Sequence, residues 1–320
     1  TLANVLAKKG HDVTLWVYES DLAKRLQQTK VNDLYLDGKT LSENLAYTND
    51  LAEAAKDSRL LLLVSPSQVM RHVLKDLKAY ITDDCLLVSA AKGIENGTLL
   101  TMSEVLQEVL GEQVSKRSAF LSGPSFAREV AVEQPTAVAV AAEDLEVAHR
   151  VQEVFSTDYF RVYTNQDVVG VEIGGAMKNV IALAAGVGDG LGYDHNARAA
   201  LITRGLVEIS RLGEAKGAQE ATFFGLAGMG DLILTCTGDL SRNHTVGKKI
   251  GEGLKLDEIL SEMRMVAEGV KTAKSVYNLS RKVDVEMPIC REMYHILYEE
   301  ASPQEAVYRL MTRDLKQELE

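Results

Sequence analysis

An α/β part followed by an all-helical part is the fold that two patterns in this 320-residue chain predict. Up to about residue 165, short apolar runs alternate with helical stretches, as in a mostly parallel sheet covered on both faces. After Tyr163 the strand signals stop, and apolar residues recur at helical spacing. The change divides the chain into 1–166 and 167–320 without a Pro- or Gly-rich linker, so close packing of the two parts is expected.

The elements follow in order. Leu2 to Lys8 reads as the end of a helix closed by Gly10, and 12–17 as the strand after it. Residues 60–64, apolar throughout, form the next strand, and 85–90 another. Strands at 119–121, 136–140 and 160–163 complete the set, with helices at 67–80, 100–110 and 144–155 between them. Beyond 167, long amphipathic helices are expected at 197–215, Glu268–Lys282 and 290–298. No apolar run approaches the ~18 residues that cross a bilayer.

Composition excludes several function classes. Nearly half of the residues are apolar and a quarter charged, enough for a full core. A net charge of −11 opposes broad nucleic-acid or anionic-membrane binding, so any phosphate site must be local. Cys85, Cys236 and Cys290 lie far apart, outside CxxC spacing, and suit a reducing cytoplasm. The histidines are scattered as well, and no metal site is predicted.

Three places carry chemistry. Lys178 has Gly174, Gly175, Ile181 and Ala182 as its helical neighbours, so its ammonium is either buried and paired or reaches water over its own apolar stem. In open α/β sheets ligands bind beyond the carboxyl ends of the strands. Here those ends read Ser65-Pro66-Ser67, Ala91-Lys92-Gly93 and Ser122-Gly123-Pro124-Ser125. Ser125 also reads as a plain N-cap for a helix at 126–132, and Lys92 as an exposed loop lysine. The third place is in the helical half, where Asp231 sits among glycines and aliphatics and Ser241-Arg242-Asn243 opens a helix. A guanidinium, a hydroxyl, an amide and free backbone N–H groups together suit a phosphate.

Taken in order, Ala90-Ala91-Lys92-Gly93-Ile94-Glu95, Ser122-Gly123-Pro124-Ser125-Phe126-Ala127, Phe160-Arg161-Val162-Tyr163-Thr164-Asn165, 170–179, 196–205, Gly230-Asp231-Leu232, Ser241-Arg242-Asn243 and Val266-Ala267-Glu268-Gly269 resemble the bacterial NAD(P)-dependent sn-glycerol-3-phosphate dehydrogenases over essentially the whole chain. The resemblance implies a Rossmann-type doubly wound sheet plus an α-helical catalytic domain. It implies interconversion of sn-glycerol 3-phosphate and dihydroxyacetone phosphate with NAD or NADP, supplying glycerol 3-phosphate for phospholipids. Lys178 would match the general acid/base, and Lys92 a lysine touching substrate and cofactor. Gly123, Ser125, Asp231, Ser241, Arg242 and Asn243 would match substrate positions, with Arg242 also near the cofactor. Ala127, Val266 and Glu268 would match further dinucleotide contacts, and Asn179 and Thr235 the same pocket. The implied partner is a small phosphorylated substrate, without nucleic acid or membrane insertion; a homodimer is compatible with the sequence.

The chain departs from this family at two points. Such folds open with a strand and a Gly-rich loop that cradles the pyrophosphate. Thr1 instead falls inside the helix that should follow, and the strand would lie between those ending at Val17 and Val64. We therefore expect roughly fifteen further residues upstream. The second departure follows Trp16, where Val17-Tyr18-Glu19 replaces a basic residue suited to a 2′-phosphate. Tyr18 can stack on adenine or ribose, and an inward Glu19 would repel a phosphate, which tilts the expectation toward NAD. Tyr35 matches another peripheral cofactor position, or is a packed loop aromatic. The alternatives are a related two-domain hydroxy acid dehydrogenase, which the phosphate-suited cluster opposes, and an inactive dinucleotide-binding protein, which retention of Lys92, Lys178 and Asp231 opposes.

Overall fold

The structure, a computed structural model, describes residues 1–36, 38–263 and 267–318. Among these, the first helix spans Leu2–Lys8 and gives way at Gly10, whose φ of +98° reverses the chain into β1 (Val13–Trp16). Two short strands, β2 (Val31–Asn32) and β3 (Lys39–Thr40), form an antiparallel pair, and β4 (Leu45–Thr48) runs parallel to β1. The main sheet holds β5 (Leu60–Leu63), β6 (Leu86–Ser89), β7 (Ser118–Ser122), β8 (Thr136–Ala141) and β9 (Phe160–Asn165), side by side in that order. The β1–β4 pair and the main sheet share no ladder among the described residues, but β1 and β5 both pack Val13, Leu60 and Leu62 onto the cluster around Val5, Leu6, Val88 and Leu121.

Two features of the sheet differ from expectation. β7 and β8 pair antiparallel, whereas every other pair in the sheet is parallel. The helix joining them, Ala127–Ala131, has five residues and spans about 7 Å, too short to carry the chain back along a strand of about 17 Å. β4, like the two-residue β2 and β3, was not anticipated, because it has only four residues and, of its three buried side chains, only Leu45 and Tyr47 are apolar. β5, β6 and β7 are adjacent and parallel, so their carboxyl ends line up and bring Ser67, Lys92 and Ser122 to one edge.

The helical half is built around one helix, Val168–Gly190. Its 23 residues, 18 of them in a stretch of mean hydropathy 1.5, make it long and apolar enough to cross a membrane, contrary to the reading of the sequence. Here it is buried almost throughout, as a core helix flanked by others on all sides. The Asp167 side chain caps it at Gly170 N–H (2.8 Å) and also accepts from Gln219 N–H (2.9 Å). Helices His195–Ala215, Asp231–Thr237, Arg242–Gly251 and Glu268–Lys282 pack against it. The approach of Arg242–Gly251 is backbone to backbone. A Cβ at Gly186 would stand 2.1 Å from the His244 carbonyl oxygen, and one at Gly247 2.0 Å from that of Leu183, so neither position admits a side chain.

The two halves are joined by buried and part-buried polar contacts. Glu172 of the central helix accepts from Ser103 N–H (2.9 Å) and the Ser103 hydroxyl, capping the helix Met102–Leu110. Lys216 pairs with Glu104 at 2.6 Å.

Candidate active site

Lys178 is buried, with 8% of its surface exposed. Its Nζ donates to Oδ1 of Asp231, which is itself 1% exposed. Lys92, arriving from the end of β6, donates to the other oxygen, Oδ2, at 2.6 Å. One carboxylate thus holds two ammonium groups from opposite halves of the molecule. Asp231 opens the helix Asp231–Thr237 directly after a π-turn at Leu226–Gly230, so the positive end of that helix also favours its charge. Thr235 Oγ1 donates back to the Asp231 carbonyl at 2.6 Å and lies 3.4 Å from Oδ1.

The electrostatic contest at Lys178 is decided by burial. Desolvation pushes its pKa down to about 8; Asp231 opposes this, and the second ammonium, Lys92, reinforces it. Burial acts to raise the Asp231 carboxyl, but Lys178 and Lys92 together outweigh it and hold the group below its ordinary value. The result is a buried carboxylate that remains ionised beside an amine that can shed its proton near neutral pH.

The helix begun by Ser241 reaches the same place. Ser241 Oγ accepts from His244 N–H at 3.2 Å, capping the helix, and Arg242 is exposed at the helix start. Asn243 Nδ2 donates to Oδ1 of Asn179 (2.9 Å), the neighbour of Lys178, and Asn243 Oδ1 accepts from Gly269 N–H (2.9 Å). Glu268, next to Gly269, accepts from Ser67 Oγ at 2.8 Å. Burial pushes the Glu268 carboxyl up, against the Ser67 bonds and the nearby charge of Arg242. A Cβ on Gly93 would meet Ser67 Oγ at 2.3 Å and Glu268 Oε2 at 3.2 Å, so only glycine lets these groups stand beside Lys92. The contacts close into a ring running Lys178, Asp231, Lys92, Gly93, Ser67, Glu268, Gly269, Asn243 and Asn179.

Gly123 and Ser125 belong to the ring's rim. Lys92 Nζ donates to the Gly123 carbonyl at 3.2 Å, and Ser125 Oγ donates to the same oxygen at 3.0 Å. Ser125 is therefore not the N-cap of the helix that follows. Phe126 occupies that position without a side-chain bond, because Ser125 is spent on the turn. Gly123 has φ +143°, and a Cβ there would lie 2.9 Å from Val138 Cα.

Tyr18, Tyr35 and Ala127 stand apart from this ring. Tyr18, just beyond β1, is 81% exposed, edge-on to Trp16 at 6.1 Å between centroids. Tyr35 donates its hydroxyl to Glu19 at 2.5 Å, so Glu19 is turned toward Tyr35. The Ala127 carbonyl accepts from Thr1 Oγ1 at 3.2 Å. Val266 lies outside the described residues. Ser67 and Ser122 were not singled out from the sequence; Ser122 Oγ comes within 3.5 Å of Asp231 Oδ2. Both lie in the strand-end segments, and their position there was the available signal.

Comparison with known proteins places the chain in a family. Residues 1–148 match the N-terminal model, and 167–308 the C-terminal model, of NAD-dependent glycerol-3-phosphate dehydrogenase. The chain is 59% identical to glycerol-3-phosphate dehydrogenase (NAD(P)+) of Syntrophotalea carbinolica over 320 residues, all of this chain and 96% of that protein. It is 61% identical to the protein of the same name from Geobacter metallireducens over 318 residues, 99% of this chain and 95% of that one. Among solved structures, glycerol-3-phosphate dehydrogenase from Coxiella burnetii superposes with a TM-score of 0.93 at 39% identity, covering 98% of this chain and 95% of its own. On the extent of these matches, the chain belongs to the NAD-dependent glycerol-3-phosphate dehydrogenase family.

Proposed function

We propose that this chain interconverts sn-glycerol 3-phosphate and dihydroxyacetone phosphate, with Lys178 as the general acid/base and with NAD or NADP as cofactor. One observation carries the reading: a buried lysine, held by a buried carboxylate and depressed to about 8, lies beside a helix start suited to phosphate. In oxidation the neutral Lys178 amine takes the C2 hydroxyl proton. In reduction the Lys178 ammonium polarises the C2 carbonyl and returns that proton to its oxygen. Asp231 orients the amine and balances the charge that forms on it, while burial, reinforced by Lys92, keeps its pKa low and Lys92 approaches substrate and cofactor together. Arg242, Ser241 and the first N–H groups of the Arg242–Gly251 helix take the phosphate, and Asn243 fixes that helix start against Asn179.

The residues at the carboxyl ends of the strands fit a dinucleotide. Exposed Tyr18 offers a face for stacking, Val64 just past β5 is 56% exposed, and the Gly93 cradle beside Ser67 and Glu268 has room only for a residue without a side chain. Tyr18, Tyr35, Lys92, Ala127, Arg242, Val266 and Glu268 are the proposed contacts. When bound, the dinucleotide supplies the nicotinamide that exchanges hydride with C2. In this reading residues 1–166 hold the cofactor and 167–320 supply most of the chemistry. The chain works in the cytoplasm on a small phosphorylated polyol, without membrane insertion, alone or as a homodimer, and feeds phospholipid synthesis.

The test is dihydroxyacetone phosphate-dependent oxidation of NADH and NADPH, repeated with Arg242→Ala. The reading requires turnover in the wild type, competition by inorganic phosphate, and a KM for the phosphorylated substrate raised at least about tenfold in the variant. No turnover with either cofactor, or an unchanged KM, would refute it.

A further inference from the structure

The Arg242–Gly251 helix presents the proposed phosphate site, yet it meets the central helix through glycines and backbone. Interdigitating side chains normally fix the register of two packed helices, and such a surface supplies few of them. Two side-chain tethers are therefore informative. Asn243 reaches Asn179, and the next residue, His244, reaches in the other direction, with Nε2 2.7 Å from Oδ2 of Asp189. Asn179 and Asp189 lie on the same helix, ten residues apart, or about 15 Å along its axis. Adjacent residues of one helix start are thus tied to two distant points on the other, which fixes both its position along the axis and its rotation.

The Asp189 end of this arrangement is built. Its other oxygen, Oδ1, receives Nε of Arg198 at 3.1 Å and its terminal nitrogen at 2.8 Å, so the carboxylate is clamped from the helix His195–Ala215. Both the Asp189 and the His244 side chains are 13% exposed. The His244 N–H is the group that Ser241 caps. One residue therefore receives the cap through its backbone and anchors the turn through its ring.

We propose that His244 is a positioning residue for phosphate recognition, acting through Asp189 and Arg198 to hold Arg242 and the helix N-terminus in place. The inference rests on the function proposed above. It assigns His244 no contact with substrate, so its loss should weaken binding and spare the chemistry. In steady-state assays of the full chain, His244→Ala should raise the KM for dihydroxyacetone phosphate and the inhibition constant for inorganic phosphate about tenfold each, with kcat within about twofold of wild type. His244→Gln, whose amide still reaches Asp189 as a donor, should recover most of the affinity; His244→Met, of similar length without a donor, should not. The Gln and Met pair decides the matter even if the Ala variant fails to fold. Equal KM values for Gln and Met, or a fall in kcat at unchanged KM, would overturn the proposal. Arg242→Ala separates the two levels of argument. If it raises KM while the His244 variants do not, only the positioning role fails; if it does not, the phosphate site itself is misassigned.

Discussion

Asp231 and Glu172 are both buried carboxylates on interior helices, within reach of the same strand ends, and they are stabilised in opposite ways. Asp231 is gripped by two ammonium groups and stays ionised. Glu172 has only hydrogen-bond donors, Ser103 N–H and hydroxyl among them, and burial pushes it up to about 7. A carboxylate that needs no charged partner serves as a remote helix cap, whereas one that gathers two lysines in a buried place leaves Lys178 with a low pKa, because desolvation, reinforced by Lys92, outweighs the pull of Asp231 itself. That forced compromise is a mark of chemistry rather than of scaffolding.

The largest effect that would break this comparison is at Lys178. Lys178→Met keeps length and apolar packing, so kcat should fall by ~10²–10⁴ while the thermal midpoint holds or rises. The sign follows from the pKa. Below about 8 the fold carries the full cost of a buried ammonium, and that cost is relieved only as pH rises from about 8 toward the ordinary 10.5, where the unfolded chain binds the extra proton. Near-normal turnover in this variant would remove Lys178 from the mechanism.

Asp231→Asn comes next. It leaves two lysines without their counter-ion, so thermal or denaturant unfolding should show a loss of about 3 kcal/mol together with loss of turnover. An Asn variant as stable as wild type would mean that the pair is not buried as described.

The smallest effect is at Glu172. Its folded pKa lies above the unfolded value, so its contribution to stability is present in full below about 4.5 and is lost as pH rises through about 7. Glu172→Gln should flatten the stability-versus-pH curve over that window and leave kcat nearly unchanged. A curve of unaltered slope would contradict the protonated cap.

The sequence disclosed these regions unequally. The ends of β5, β6 and β7 could be read because fully apolar runs stop abruptly at small or polar residues, as at Leu63 to Ser65. The Lys178 environment was visible through its helical spacing. The length of the central helix was harder to see, because Gly170, Gly174, Gly175, Gly186 and Gly188 lower helix propensity, and burial on all sides erases the amphipathic period. The antiparallel turn into β8 depended on the length of one short helix. The ring itself was not legible, since Ser67 and Glu268 are 201 residues apart and their contact exists only through the packing of two halves. His244 reads as one more polar helix residue until Asp189 is placed beside it.

The central claim is that Lys178 titrates near neutrality and moves the substrate proton. The most direct test is the pH dependence of kcat in both directions, in the wild type and in the residual activity of Lys178→Met. Glycerol 3-phosphate oxidation should rise with pH as a group near 8 loses its proton, dihydroxyacetone phosphate reduction should fall over the same range, and both limbs should vanish in the variant. The same limbs persisting in Lys178→Met would contradict the account.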